Sequence, residues 1–229
     1  MKIAIDGPGA AGKSTVAKLL AHNLGMTYID TGAMYRAIAL GITALGIFPG
    51  DAEAVGAALD GLSVGVAHDG ASGEQLVYLN GEDVTGRIRT PEMSKCASDV
   101  SKLPSVRLRL VDLQREIAEG RDVIMDGRDI GTYVFPDADR KYFLTASPGA
   151  RARRRYLELR AKGGCAAYGD VLRDLVSRDA NDSGREMAPL TIAPDAVLVE
   201  TDDMTALEVE AVLRADILKR GFGPAGAPS

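Results

Sequence analysis

Cysteine and histidine are scarce: the 229 residues include two of each. Cys96 and Cys165 stand far apart, and the histidines are His22 and His68, so neither a zinc cluster nor a CxxC redox pair can be assembled. Both cysteines read as plain thiols. An excess of basic charge is also missing, since 27 Lys and Arg against 32 Asp and Glu leave a net charge of −5. That argues against constitutive binding of duplex DNA or an anionic membrane, and makes any basic site local. Long apolar runs are absent too. The longest, Ala37 to Phe48, contains Thr43 and two glycines and falls short of the roughly 18 residues of a membrane span. Met1-Lys2 leads straight into Ile3-Ala4-Ile5 with no cleavage-site pattern, so the expected compartment is the cytoplasm. With 46% hydrophobic and 26% charged residues, what remains is a globular chain able to bury a sizeable core as one domain, with or without an insertion.

Strand and helix patterns alternate along most of the length, which predicts an α/β fold with a parallel sheet. Lys2 to Asp6, Asp122 to Asp126, Lys141 to Thr145 and Ala196 to Glu200 read as strands. Val16, Ala17, Leu19, Leu20 and Leu24 recur at helical spacing over Ser14 to Leu24. Further helices are expected to start at Thr90-Pro91, at Pro104 (running to Glu119), at Ser147-Pro148, and at Thr205, whose partner Glu208 completes a capping box for a helix reaching Lys219. Between Leu62 and Thr85 the pattern changes. Leu62 to Val66 and Gln75 to Leu79 alternate around glycines and an Asn80-Gly81 turn, predicting a small antiparallel insert. With its following helix the insert spans about 62–102 of a single 1–220 domain, and Gly221 to Ser229 is expected to be disordered.

Gly7-Pro8-Gly9-Ala10-Ala11-Gly12-Lys13-Ser14 fits the phosphate-binding pattern G-x-x-x-x-G-K-[ST], between a predicted strand and a predicted helix. The chain's own frequencies make an accidental match about a 1% event even before the context is required. Glycines let backbone N–H groups converge on an anion at a helix N-terminus; Lys13 reaches the terminal phosphates, and the Ser14 hydroxyl can sit on Mg²⁺. Asp126 ends a second strand, where a carboxylate can hold Mg²⁺ through water. These residues predict a nucleoside triphosphate site.

A triphosphate and a phosphorylated acceptor are both polyanions, so joining them needs cations aimed at one point. The chain has 19 Arg against 8 Lys, and Arg36, Arg128, Arg178 and Arg185 stand beside turn glycines or acidic residues. The base-reading motif of a GTPase is absent, and a helicase is usually larger. Arg151, Arg153, Arg154 and Arg155 form a basic cluster that fits a lid, a solvated face or an RNA stripe.

Asp6-Gly7-Pro8, Asp30-Thr31-Gly32-Ala33-Met34-Tyr35-Arg36, Asp126-Gly127-Arg128-Asp129-Ile130-Gly131-Thr132, and Arg178-Asp179 followed by Asp182 and Arg185 together resemble the bacterial cytidylate kinase family, from Lys2 to about Arg220. The resemblance implies transfer of the γ-phosphoryl group of ATP to CMP or dCMP, with Mg²⁺; no nucleic-acid or membrane partner is expected, and with nothing in the sequence suggesting an obligate oligomer, the expectation is a monomer. The resemblance also implies that Gly7 to Thr15 bind ATP, that Arg36, Arg128 and Arg185 hold phosphate, with Lys13, Arg128 and Arg185 catalytic, and that Thr31 and Tyr35 line the CMP pocket. Ser98, Arg107 and Asp129 then match the family's cytosine readers, and Arg178 and Asp182 its ribose contacts. The arginine cluster matches the base of a lid over about 151–185, with Arg154 and Arg155 on the ATP side. Kinases for UMP or another small acceptor, and a nucleotide-sensing switch without transfer, remain the alternatives.

Overall fold

A computed structural model describes residues 1–70 and 73–221. In chain order it forms β1 (Lys2–Asp6), α1 (Lys13–Leu24), β2 (Thr27–Asp30), α2 (Thr31–Ala44), α3 (Ala52–Ala58), β3 (Val64–His68), β4 (Gln75–Leu79), β5 (Glu82–Asp83), α4 (Pro91–Val100), α5 (Pro104–Ile117), β6 (Val123–Asp126), β7 (Arg140–Thr145), α6 (Pro148–Ala161), α7 (Tyr168–Ser183), β8 (Val197–Glu200) and α8 (Ala206–Lys219). The fold is α/β, as expected: a five-stranded sheet ordered β2-β6-β1-β7-β8 and a three-stranded sheet ordered β3-β4-β5. Among the described residues no helix is long and apolar enough to cross a membrane.

The chain divides into two compact units. The first holds Met1–Tyr28, Gly120–Gly184 and the chain from Ala188 onward; the second holds Ile29–Glu119 with Arg185–Met187. The 62–102 segment expected as an insert lies within the second unit. Residues 222–229, most of the segment expected to be disordered, lie outside the described residues.

In the first unit β1 pairs in parallel with β6 and β7, and β7 with β8. Ile3, Ala4 and Ile5 of β1 and Val123, Ile124 and Met125 of β6 are wholly buried, as strands inside a parallel sheet are. Ile5 lies opposite Asp126 and Asp6 opposite Phe143. The strands therefore end together, which puts the start of the phosphate loop and Asp126 at the C-terminal edge where open parallel sheets bind ligands. Val16, Leu20 and Leu24 of α1 join Val209, Leu213 and Ile217 of α8 in one core with Ile3, Ile5, Tyr142 and Leu144.

The second unit packs α2, α4 and α5 around Met34, Ile38, Ile42, Cys96, Val100, Val106 and Leu110, with α3 contributing Val55. Its hairpin adds Val77 against Ala33, Ala37 and Ile88.

The predicted helix starts at Thr90, Ser147 and Thr205 are N-caps whose side chains accept the amides of Met93, Ala150 and Glu208, and the Thr205–Glu208 capping box is complete. Other boundaries moved. Strand β3 begins at Val64 rather than Leu62, because Leu62 is committed to the helical core and Ser63 donates its N–H to Asn80 Oδ1 (2.7 Å) at the hairpin turn. Helix α5 stops at Ile117, before Glu119, as Gly120 turns to φ 66°. Helices α2 and α3 were not anticipated, although Asp30 and Asp51 cap them through the amides of Ala33 and Ala54.

Gly7 cannot carry a side chain. Its φ is +143°, and a Cβ there would lie 2.0 Å from the Leu144 carbonyl oxygen, a backbone atom that cannot yield. Gly7→Ala should destabilise the chain by about 3 kcal/mol or more, roughly 6–12 °C in Tm for a chain of this size. Gly61→Ala, with open space around it and an ordinary backbone angle, should leave Tm within about 2 °C, and thermal melts of the two variants make the comparison.

Candidate active site

The phosphate loop runs from Gly7 to the first turn of α1. Gly7, Ala10 and Gly12 take positive φ values of 143°, 58° and 92°, the kind of reversal that turns successive amides inward on an anion. Gly12, at the N-cap of α1, supplies no side chain to satisfy the helix's first N–H groups. Three carbonyls of the loop are occupied by side-chain donors. Lys13 Nζ donates to Pro8 O (2.7 Å), Arg151 Nη1 to Gly9 O (3.1 Å) and Thr201 Oγ1 to Ala11 O (3.3 Å).

Lys13 is buried. Burial first, then the nearby positive charges of Arg128 and Arg178, pull its pKa down to about 7, against the attraction of Asp126 and Asp6. Ser14 Oγ donates to Asp126 Oδ2 (2.9 Å) and the Tyr28 hydroxyl to Asp126 Oδ1 (2.7 Å), so a hydroxyl and a carboxylate, both hard oxygen donors, stand together behind the loop. Asp6 at the end of β1 accepts the amides of Ile130 (2.8 Å) and Gly131 (2.7 Å), pinning the π-helical turn Ile130–Val134 that follows Arg128 and Asp129. Burial pushes its carboxyl up to about 7.

Arg128 Nε donates to Asp182 Oδ2 (2.7 Å), tying the Asp126–Asp129 turn to α7, which also carries Arg178. Burial opposes the charge on Arg128, yet Asp182, Asp126 and Asp179 hold its pKa above the ordinary guanidinium value. Asp129 is buried in the same unit.

The arginine cluster on α6 separates. Arg151 is buried and bonds Ala146 O, Gly9 O and Asp179. Arg154 donates to Thr201 Oγ1 (3.1 Å) and to the Thr201 and Asp202 carbonyls. Arg155 pairs with Glu158 at 2.7 Å.

The second unit holds the other residues. Asp30 caps α2 and pairs with Arg36 Nη2 at 2.9 Å. Burial works against its charge, but Arg36, the Ala33 amide and Arg89 hold its carboxyl below the ordinary range. Gln75 of β4 braces that residue, accepting the Asp30 N–H (2.7 Å) and donating to the Asp30 carbonyl (3.2 Å). Thr31 is buried in the first turn of α2. Arg107 is fully buried on α5, with its guanidinium 5.7 Å from the Tyr35 ring centre and Nη1 on the Ser101 carbonyl (3.1 Å). Ser101 Oγ in turn donates to the Ser98 carbonyl (2.9 Å). The Ser98 hydroxyl and Arg36 Nε are buried without a hydrogen-bond partner among the described residues, as polar atoms shaped for a ligand are. Arg185, just past α7, is buried.

The first unit thus gathers Lys13, Ser14, Asp126, Arg128, Arg178 and Asp182; the second gathers Tyr35, Arg107 and Ser98, with the Asp30–Arg36 pair. Asp6, Tyr28, Arg151 and Thr201 were not anticipated as site residues. A carboxylate ending an apolar strand was a usable signal for Asp6, whereas nothing local marked Tyr28 or Thr201.

The family model for cytidylate kinase matches residues 3–217. A cytidylate kinase of Caldicellulosiruptor bescii is 50% identical over 214 residues, covering 93% of this chain and 92% of the relative. One from Caldanaerobacter subterraneus is 53% identical over 209 residues, covering 91% of each. A crystal structure of an uncharacterized protein from Eubacterium ventriosum aligns with a TM-score of 0.50 at 10% identity over 96% of this chain and 99% of that one, a likeness of fold alone.

Folding drives Lys13 toward its neutral form, since its pKa falls from 10.5 to about 7. The associated stability is fully present above pH 10.5 and is lost as pH falls through about 7. Lys13→Met removes that dependence, so without nucleotide the variant should gain most over the parent at pH 6–7 and progressively less toward pH 10. Thermal melts across that range test it; a constant difference would show that the lysine charge is not penalised in the fold.

Proposed function

The chain belongs to the cytidylate kinase family, and on that premise we propose how residues of its two units divide the work of phosphoryl transfer. The protein is an ATP-dependent nucleoside monophosphate kinase that passes the γ-phosphoryl group of ATP to CMP or dCMP, giving ADP and CDP or dCDP. The attacking atom is an oxygen of the monophosphate, already an oxyanion, so no general base is needed. Catalysis is positioning and charge neutralisation.

In this reading the backbone from Gly7 to Thr15 cradles the ATP phosphates. Lys13 faces their terminal oxygens, and the arrival of that negative charge favours its protonated form. Ser14 and Asp126 would hold Mg²⁺, for which one carboxylate and one hydroxyl are a fitting protein share, phosphate and water supplying the rest. When bound, the ion neutralises charge on the triphosphate. Arg128, Arg36 and Arg185 spread the charge of the transferring group. Arg178 and Asp182 serve the ribose. Arg154 and Arg155 flank the donor from α6; the exposed Arg155–Glu158 pair that competes for one of them is worth only about 0.3–0.5 kcal/mol.

Thr31 and Tyr35 line the acceptor pocket. Arg107 donates to the cytosine O2 and N3 acceptors, while Asp129 or the Ser98 oxygen accepts from the exocyclic amine. The strongest support for the reading is the buried Lys13 and Asp126, with the Ser14 hydroxyl on Asp126, beside a loop of inward-turned amides.

A coupled assay of ADP release over a panel of monophosphates tests it. ADP should form only when an acceptor is present, fastest with CMP and dCMP; equal release without any acceptor would make the protein a nucleotide hydrolase or switch. Arg107→Met should lower kcat/KM for CMP by about 2–4 kcal/mol, because buried base atoms lose a charged partner. KM for ATP should stay within about twofold of the parent, and a matching loss on the ATP side would assign Arg107 to the fold instead.

A further inference from the structure

The amides of a phosphate loop can face an anion only if its carbonyls face away, since a carbonyl oxygen turned inward repels phosphate. Here the outward direction is imposed from the lid side. Arg151 of α6 is buried, and each arm of its fork is used: Nε donates to Ala146 O (2.9 Å), Nη1 to Gly9 O (3.1 Å) and Nη2 to Asp179 Oδ2 of α7 (2.7 Å). One turn further on, Arg154 Nη1 donates to Thr201 Oγ1 (3.1 Å), and the buried Thr201 hydroxyl lies 3.3 Å from Ala11 O and 3.1 Å from Thr145 O.

Apolar packing repeats the connection. Ala10, held at φ 58°, packs on the α6–α7 core of Ala152, Val171 and Leu175, and a Cβ at Gly9 would lie 3.4 Å from Leu175. A non-glycine residue stays in that left-handed conformation only where its surroundings over-determine it.

We infer that Arg151, and Arg154 acting through Thr201, are positioning residues for the phosphoryl donor: α6 holds the Gly9 and Ala11 carbonyls outward, so that the loop amides are presented to ATP. The inference rests on reading the loop as the ATP site. It gives the arginine cluster a task separate from contact with the nucleotide: Arg151 acts on the loop backbone without touching phosphate.

The test is equilibrium binding of ATP and, separately, of CMP to the full chain, alongside thermal melts. Arg151→Lys keeps the charge but loses the fork, and should weaken ATP binding tenfold or more. Thr201→Val keeps the shape without the hydroxyl and should weaken it threefold or more, while Thr201→Ser restores it to within twofold. CMP binding should stay within twofold throughout. ATP binding unchanged in Thr201→Val, or not restored by Thr201→Ser, overturns the inference. So do equal losses for ATP and CMP that track the fall in Tm. If Arg151→Lys does not fold, the Thr201 pair decides. If the parent itself fails to bind ATP, the reading of the loop fails instead, an outcome distinct from a parent that binds ATP and a Thr201→Val variant that binds it equally well.

Discussion

Cations gathered to meet a polyphosphate repel one another until it arrives. At an effective dielectric constant near 20, two like charges 4 Å apart cost about 4 kcal/mol. In the first unit Arg128 and Arg178 both depress the pKa of Lys13, and that repulsion is offset by carboxylates threaded between them. Asp182 takes Arg128, Asp179 takes Arg151, and Asp126 sits beside Lys13 and Ser14. Each carboxylate comes from a different place along the chain than its cation, so the neutralising pairs also hold the phosphate loop, the turn after β6 and helices α6 and α7 in register. The same contacts that make the gathered charges tolerable give the site its shape. The arrangement is a preorganised one, in which an incoming anion meets charges already oriented and needs little rearrangement of the protein around it.

Apart from Asp129, the residues proposed for the acceptor base lie in the second unit. Arg107 is fully buried, with Nη1 on the Ser101 carbonyl and its guanidinium over the face of Tyr35. The unpartnered Ser98 hydroxyl is the complementary feature, a buried polar atom whose desolvation goes uncompensated until a ligand supplies a partner.

Much of this was legible in the sequence because the signals were local. The phosphate loop is a contiguous pattern, and Thr90, Ser147 and Thr205 act on amides three residues away, so their letters state their roles. Helix α2 was hidden for the opposite reason: its apolar residues were considered as a run to be measured against a membrane, while the cap that starts the helix, Asp30, stood in a motif already assigned to phosphate chemistry. The roles of Tyr28, Arg151 and Thr201 were illegible because each acts through a contact with a residue distant in the chain. Thr201 meets Ala11 190 positions away, and Arg151 meets Gly9 142 positions away. The four arginines of α6 looked equivalent as letters, and only burial and partner choice separate Arg151 and Arg154 from Arg155.

Gln75 has an effect beyond bracing the start of α2. Strand β2 is the outermost of its sheet, and the Thr27 amide donates to Asp122 O. Strand groups alternate direction, so Asp30, three residues on, presents its N–H and C=O to the open side, and the Gln75 amide occupies both. An edge with unpaired backbone groups is a template on which another chain can add a strand. By imitating a neighbouring peptide unit, a single side-chain amide covers the open edge at Asp30.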